Sequence, residues 1–356
     1  MRKVLLFTWS ICFFLGTVAV GSNLEINIFN VGWGNFVLLK RDNNVLVIDC
    51  GKAGAFQASE AKERLRNILR GSNNCRVIIT HDHKDHYSAA RVLWDCFHKV
   101  SKRNAEFFYG WVSSDGAPLT RETRKNAVKY YPLSSNPNVL DRCLGGGILI
   151  RCIIPVRENE DCHVNNLVVG IKYGNISFVF PGDANQDWFS ENCERLKAFL
   201  EELGWVNFLL IPHHGSMSDT GFFMKDAIEN FTKGTLAPNE GRRLMYVISS
   251  DPQKGKYYMP RQGVQYLFSH WCCISKVKPH RLSVAKVDLV SKELKEVVAI
   301  GGLASPVFST ADSVFGYKIV CDGLSFWMYE ELGIPRPRES IADLKVFDYY
   351  GLARQR

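Results

Sequence analysis

Residues 75–86 read CRVIITHDHKDH. The run from Cys75 to Thr80 is short, apolar and β-branched, the character of a buried strand, and it delivers the chain directly into three histidines and two aspartates. From a strand end, alternate side chains, here His81 and His83, aim at one point. The tighter turn through Asp85 and His86 aims a second pair at a point some ångströms away. Imidazole nitrogen and carboxylate oxygen suit zinc, and manganese or iron also fit such a donor set. A cation that keeps a place for water needs about three protein ligands, so two cations need donors from elsewhere in the chain. The plain alternative is a charged surface turn, and further donors at strand ends decide between the two.

Such donors are present. FVFPGDAN (178–185) ends an apolar strand in Gly-Asp and puts Asp183 at its tip, while FLLIPHHGS (208–216) ends another in His213 and His214. DCHVNNLVVGI (161–171) places His163 just before a third. One strand-end histidine or aspartate is usually a turn residue. Three such places, led by the dense cluster, point to a metal site.

Outward from these, LEINIFNV (24–31), NFVLL (35–39) and VLVID (45–49) read as successive strands joined by the turns GWG and RDNN. FQASEAKERLRNILR (56–70) has helical spacing at Ala58, Ala61, Leu65, Ile68 and Leu69, and YSAARVLWDCFHKV predicts a helix starting just past His86. Residues 112–142 are polar and turn-rich and read as a loop region. Strands are predicted at 147–154, 166–173, 176–181, 206–212, 244–250 and 281–290, with a helix over 187–203. Residues 303–356 are weakly patterned and read as a C-terminal extension packed on a domain spanning 22–302. No repeat, low-complexity tract or interdomain linker is visible. Groups of strands alternating with single helices predict a layered α+β architecture.

The N-terminus, MRKVLLFTWSICFFLGTVAVGSN, has two basic residues, an uncharged run from Val4 to Val20 and small residues that suit cleavage after Gly21. This is the layout of a signal peptide over 1–21, and it predicts an exported chain, secreted or periplasmic. The alternative is an uncleaved anchor, since a run of about 17 residues just spans a bilayer. No later segment is long and apolar enough to cross. Of eleven cysteines, ten remain once Cys12 leaves with the signal, so disulfides are expected, although no C-x-x-C pair points to a zinc ribbon. Asn175-Ile-Ser and Asn230-Phe-Thr are glycosylation acceptors in a eukaryotic setting. The net charge of +8 falls to +6 without Arg2 and Lys3, a mild excess that permits an anionic substrate. Basic residues at 99–103, 121–125 and 242–261 are best read as ordinary solvated side chains, and the aromatics near them (Phe107, Phe108, Tyr109, Trp111, Tyr257, Tyr258) as core.

The order H-x-H-x-D-H, then His, then Gly-Asp, then His at strand ends resembles the metallo-β-lactamase superfamily. NVGWGN followed by VIDCG, with FPGDAN, LLIPHHGS and YVISSDP in sequence, is similar to the branch containing the hydrolase domain of ComEC-type DNA-uptake proteins. The resemblance covers roughly 24–290 and implies an αββα four-layer sandwich. It implies that His81, His83 and His163 hold one metal, that Asp85, His86 and His214 hold a second, and that Asp183 bridges them. His213 is then a neighbour that contacts substrate or leaving group, and Asp49 the buried aspartate that supports the metal loop. Two departures stand out. Asn30 and Asn35 replace the aspartates of that branch's D-V-G-Q-G-D, which removes any ionic role but keeps hydrogen bonding, and Met259-Pro260 stands where a His-Pro pair is expected. The segment near His163 also offers Asn165 and Asn166, because this branch often has asparagine there.

Two divalent cations, zinc above all, that share a bridging water lower its pKa to roughly 7–9 and make hydroxide the nucleophile, with Asp85, Asp183 and His213 at the reacting centre. Ser216 reads as a turn residue, and no cysteine lies in a nucleophile motif. The resemblance implies a phosphodiesterase or nuclease acting on an anionic ester, nucleic acid included, and identifies no stable protein partner. Hydrolysis of carboxylic esters, thioesters, lactones or β-lactams on the same metals, and a non-catalytic binding module that retains the fold, are the alternatives.

Overall fold

The computed structural model describes residues 22–32, 34–110, 130–133, 140, 143–155, 161, 163–204, 206–215, 245–248, 307–309, 316–323 and 326–330. The expected opening meander forms as β1 (Leu24–Phe29), β2 (Val37–Arg41) and β3 (Asn44–Ile48), paired antiparallel. The helical spacing resolves into a 3-10 turn, Ala53–Phe56, and α1 (Ser59–Leu69), which buries Ala61, Leu65 and Leu69. The strand of the opening motif is β4 (Asn74–Ile79), parallel to β3. After it the chain makes a single helical turn, α2 (Lys84–Tyr87), before α3 (Ala90–Ser101). This break was not expected. It is held from the side: the Ser88 hydroxyl donates to the Gly51 carbonyl and accepts from the Ala53 amide, and the Cys50 amide donates to the His86 carbonyl.

Two further parallel strands, β5 (Glu106–Tyr109) and β6 (Tyr130–Pro132), extend the sheet. β6 falls inside the stretch expected to be loop. Both strands are too short for a hydrophobic period to show, and Phe107 and Phe108 prove to be core.

The second half begins with β7 (Ile148–Ile153), β8 (Val168–Tyr173) and β9 (Ile176–Phe180), again an antiparallel meander. Then come α4 (Gln186–Leu203), β10 (Phe208–Leu210), a 3-10 turn at Pro212–Gly215, β11 (Met245–Ile248) and β12 (Val307–Ser309), the last three strands parallel to β9. Strands β1 to β6 lie in chain order in one sheet and β7 to β12 in chain order in the other. Each sheet is a three-stranded antiparallel meander continued by three parallel strands. The sequence shows no repeat, yet the topology is repeated, because strand order is set by connection geometry and burial rather than by residue identity.

Of residues 303–356, expected as an extension packed on the domain, the described ones contribute strands to both sheets. β12 edges the second, while β13 (Gly316–Cys321) pairs antiparallel with β1 from Leu24↔Cys321 to Phe29↔Gly316, and β14 (Phe326–Glu330) pairs with β13. A β-carbon at Gly316 (φ 115°) would meet the Ile28 carbonyl oxygen at 1.8 Å, so this close approach requires glycine. Tyr317, Ile319 and Cys321 enter the core, and Lys318 turns the other way to pair with Glu25 at 2.9 Å.

The layers follow from alternation. On β3, Leu46 and Ile48 face the second sheet, and Val45 and Val47 face α1 and α3. On the far side α4 covers the second sheet, where a β-carbon on Gly170 would meet Phe199 at 2.4 Å. Helix, sheet, sheet and helix give the expected αββα sandwich, with strands buried on both faces and apolar almost throughout.

Among the described residues no helix is long and apolar enough to cross a membrane, and residues 1–21 lie outside them. Among them too, Cys50, Cys75, Cys96, Cys143, Cys152, Cys193 and Cys321 are free thiols. Asn175 is exposed at the β8–β9 turn. Lys99, Lys102 and Arg103 are solvated, and Arg103 bonds the Asn73 carbonyl at the start of β4, the end of the sheet away from the histidines. The basic and aromatic residues singled out at 111, 121–125 and 242–261, the 281–290 strand, Ser216 and Met259-Pro260 lie outside the described residues.

Candidate metal centre

Parallel strands share a carboxyl end, and in open α/β sheets the loops leaving those ends build the site. Here the corresponding strand ends of the two sheets meet. β3 ends at Asp49 and β4 at the histidine cluster; β9 ends at Asp183 and β10 at His213-His214. His163 arrives from the loop before β8.

The side chains form two groups. In one, a ligating atom each from His81, His83, His163 and Asp183 lies within 4.8 Å of all the others; in the second, Asp85, His86 and His214 do the same. Asp183 belongs to both by distance. Its Oδ2 lies 3.8 Å from His81 Nε2, 3.2 Å from His86 Nε2 and 3.4 Å from His214 Nε2, and His214 Nε2 is 3.7 Å from Asp85 Oδ2. Two donors each ~2.0–2.2 Å from a tetrahedral cation stand roughly 3.3–3.6 Å apart, so this spacing is that of ligands around shared ions. Nε2 of His81, Nε2 of His86 and Oδ1 of Asp183 are buried without a hydrogen bond, a costly arrangement that coordination would repay. The donor set therefore fits divalent cations.

The other nitrogen of His86 and of His81 is held from behind. Asp49, fully buried at the end of β3 with a left-handed φ of 59°, accepts from the Thr80 amide (2.7 Å) and hydroxyl (2.9 Å), and its Oδ2 faces His86 Nδ1 at 2.7 Å. The carboxylate accepts, so His86 keeps a proton on Nδ1 and turns Nε2 into the site, where loss of the second proton frees its lone pair for a cation. Thr80 Oγ1 also lies 3.2 Å from His81 Nδ1. The NVGWGN loop presses on Asp85: a β-carbon at Gly34 (φ 144°) would meet the Asp85 carbonyl oxygen at 2.3 Å. Asn30 still accepts, from the Gly32 amide at 3.2 Å.

On the opposite wall, Asn166 turns away from the cluster. Its Oδ1 accepts the Asp183 amide at 2.9 Å, and its Nδ2 donates to the Pro181 carbonyl at 2.7 Å. Gly182 (φ 58°) lets that contact happen, since a β-carbon would meet Asn166 Oδ1 at 2.3 Å. His213 and His214 both adopt left-handed backbone, at φ 49° and 54°, which costs about 1–2 kcal/mol for each such residue. The His213 amide is held by the Gly182 carbonyl at 3.0 Å. Its ring lies 4.8 Å from that of His163, with Nε2 4.0 Å from Asp183 Oδ2.

Electrostatics sorts the histidines. Burial holds His81 well below the ordinary imidazole range and lowers His83, and it brings His213 down to about 4 against the pull of Asp183. Burial works the same way on His86 and His214, but carboxylates outweigh it: Asp183 and Asp49 raise His86 well above its ordinary value, and Asp183 and Asp85 raise His214 to about 9. Burial would raise Asp183, yet His214, His86 and His213 hold it well below the carboxylate range. Protons on His86 and His214 thus balance the buried carboxylates where a cation would otherwise sit. Loading zinc at pH 7 in weak buffer is expected to release about two protons for these two imidazoles, read with an indicator dye. In metal-free protein the His214 contribution to stability is complete below 6.5 and is lost as pH rises through about 9. Its melting temperature should fall over that interval, and added zinc should remove the fall.

All seven expected ligands converge, with His214 rather than His213 closing the second group. Thr80, Asp161 and Asn185 (the last donating to Asp161 at 3.0 Å) support the site but were not expected as functional, although Thr80 adjoins the cluster and Asp161 stands two residues before His163. Asn166, which the sequence offered beside His163, holds the Asp183 amide.

No known family's profile matches the sequence, and no curated protein matches it. Among solved structures the chain is similar to the metallo-β-lactamase fold protein YhfI from Bacillus subtilis, with 14% identity, 68% of this chain and 93% of that chain covered and a TM-score of 0.40. It is also similar to the short form of human tRNase Z (13%, 65% and 94%, TM-score 0.34) and to a diphosphatase of the PhnP family (12%, 63% and 85%, TM-score 0.36).

Proposed function

We propose that the chain is a metal-dependent hydrolase that holds two divalent cations, zinc above all, and cleaves an anionic ester of the phosphodiester class, nucleic acid included. The observation that carries this reading is Asp183. One buried carboxylate oxygen stands 3.2–3.8 Å from Nε2 of His86, His214 and His81, so it draws both donor groups together. His81, His83 and His163 would hold one ion, Asp85, His86 and His214 the other, and Asp183 would serve both. Bound there, paired cations activate water as a nucleophile and offset charge on the attacked centre and leaving oxygen.

The residues themselves do the positioning. Asp49 keeps His86 in the tautomer that faces the cluster, Asn166 and Gly182 fix the Asp183 loop, and Gly34 lets the N-terminal loop close over Asp85. His213, kept neutral by burial, stands beside Asp183 where a substrate or its leaving group would arrive. Two ligating carboxylates against two dications leave the centre net positive, which favours an anionic ester over a neutral lactam or lactone.

Metal analysis of the purified chain should return about two equivalents. Metal-loaded protein should hydrolyse bis-p-nitrophenyl phosphate or DNA faster than a thioester or a chromogenic lactam. Cleavage of the thioester or lactam alone moves the substrate to the carbonyl class. An absence of bound metal would sink the central claim.

A further inference from the structure

The geometry points to Asp161 as a positioning residue that orients His163 toward the first donor group, as Asp49 orients His86 toward the second; this rests on the two-cation reading. Asp161 Oδ1 lies 3.0 Å from His163 Nδ1 and accepts the His163 backbone amide at 2.8 Å. One carboxylate oxygen therefore grips both the ring and the main chain of the same residue. A carboxylate only accepts, so the ring proton is on Nδ1 and the Nε2 lone pair faces His81, His83 and Asp183.

The other oxygen extends the effect. Asp161 Oδ2 accepts from Asn185 Nδ2 at 3.0 Å, and Asn185 Oδ1 caps α4 by accepting the Trp188 amide at 3.0 Å. Trp188 Nε1 donates to the Asn166 carbonyl at 2.7 Å, and Asn166 Oδ1 accepts the Asp183 amide. A continuous path of hydrogen bonds thus runs from His163 to Asp183, two ligands delivered by separate loops. Each donor group then has one imidazole backed by a carboxylate. The two backings differ in exposure: the Asp49 side chain is fully buried, and that of Asp161 is 42% exposed. Water competes for Asp161, so its grip is the weaker and its loss should leave the fold intact.

The test uses the full chain with Asp161→Ala and Asp161→Asn, in zinc titrations against a competing chelator and in imidazole 15N NMR of the metal-free proteins. Asp161→Ala should weaken one zinc equivalent by about 10–100-fold and leave the other unchanged. It should also move His163 from the Nδ1–H form toward Nε2–H. Asp161→Asn, whose amide oxygen still accepts, should recover much of the affinity. Unchanged zinc affinities with an unchanged His163 tautomer would overturn the assignment. If the unsubstituted chain binds no zinc, the two-cation reading fails by itself, and the tautomer of His163 still decides for or against Asp161.

Discussion

Asp183→Ala is expected to lower phosphodiester hydrolysis by on the order of 10³-fold and to leave no more than one tightly held cation per chain. The size of the effect follows from position. Oδ2 of this one side chain is the shared neighbour of His81, His86 and His214, so its removal takes a donor from both groups at once. The fold should survive. The Asp183 main chain remains tied to Asn166, and His86 and His214, having lost the strongest of the carboxylate pulls that raise them, give up their protons more readily than they do beside Asp183. Asp183→Asn, which keeps the shape and removes the charge, should lose nearly as much activity. The measurement is turnover of bis-p-nitrophenyl phosphate beside metal content and melting temperature. A variant that retained two equivalents and its full rate would remove Asp183 from the centre.

Much of this site is legible in the sequence because ligands must sit at strand ends, and strands that are buried on both faces announce their ends sharply. CRVIIT stops at the cluster, FVF at Pro-Gly-Asp and FLLI at Pro-His-His. The residues that hold the ligands from behind are harder to see. Thr80 and Asn166 act through hydrogen bonds to residues distant in sequence, Asp49 and Asp183, and polar residues at a turn look alike until the turn is folded. Asp161 was within reach, since an Asp two residues before a His can bond both its amide and its ring. The architecture divides in the same way. Long elements such as α4 declare themselves, while the three-residue strands β6 and β12 draw their identity from neighbours in the sheet. The placement of 303–356 shows the limit most clearly. Tyr317, Ile319 and Cys321 alternate with Lys318 and Val320 as a half-buried strand should, but which edge they join is decided by the open side of β1.

Asp49→Ala should be the more damaging substitution for the fold itself, with a cost of about 3–5 kcal/mol in stability alongside loss of the second cation. Its carboxylate is fully buried and joins three pieces of chain: the end of β3 that carries it, Thr80 just past β4, and His86 in α2. Burial alone would raise its pKa further than it does; His86 and Thr80 offset part of that cost. Alanine leaves the Thr80 amide without this acceptor and His86 without its carboxylate partner, and both are buried away from solvent. Asp49→Asn separates the two consequences. The amide oxygen can still accept from Thr80, so the melting temperature should stay near that of the parent. Its NH2 group then faces His86 Nδ1, forces that nitrogen to accept, and drives the ring proton to Nε2, where the cation would bind. Affinity at the second group should fall by about 10–100-fold while the first group is spared. Chemical denaturation beside zinc titration reads both effects. If Asp49→Asn bound both equivalents as the parent does, the buried aspartate would be a structural tie between β3 and β4 with no hold on His86.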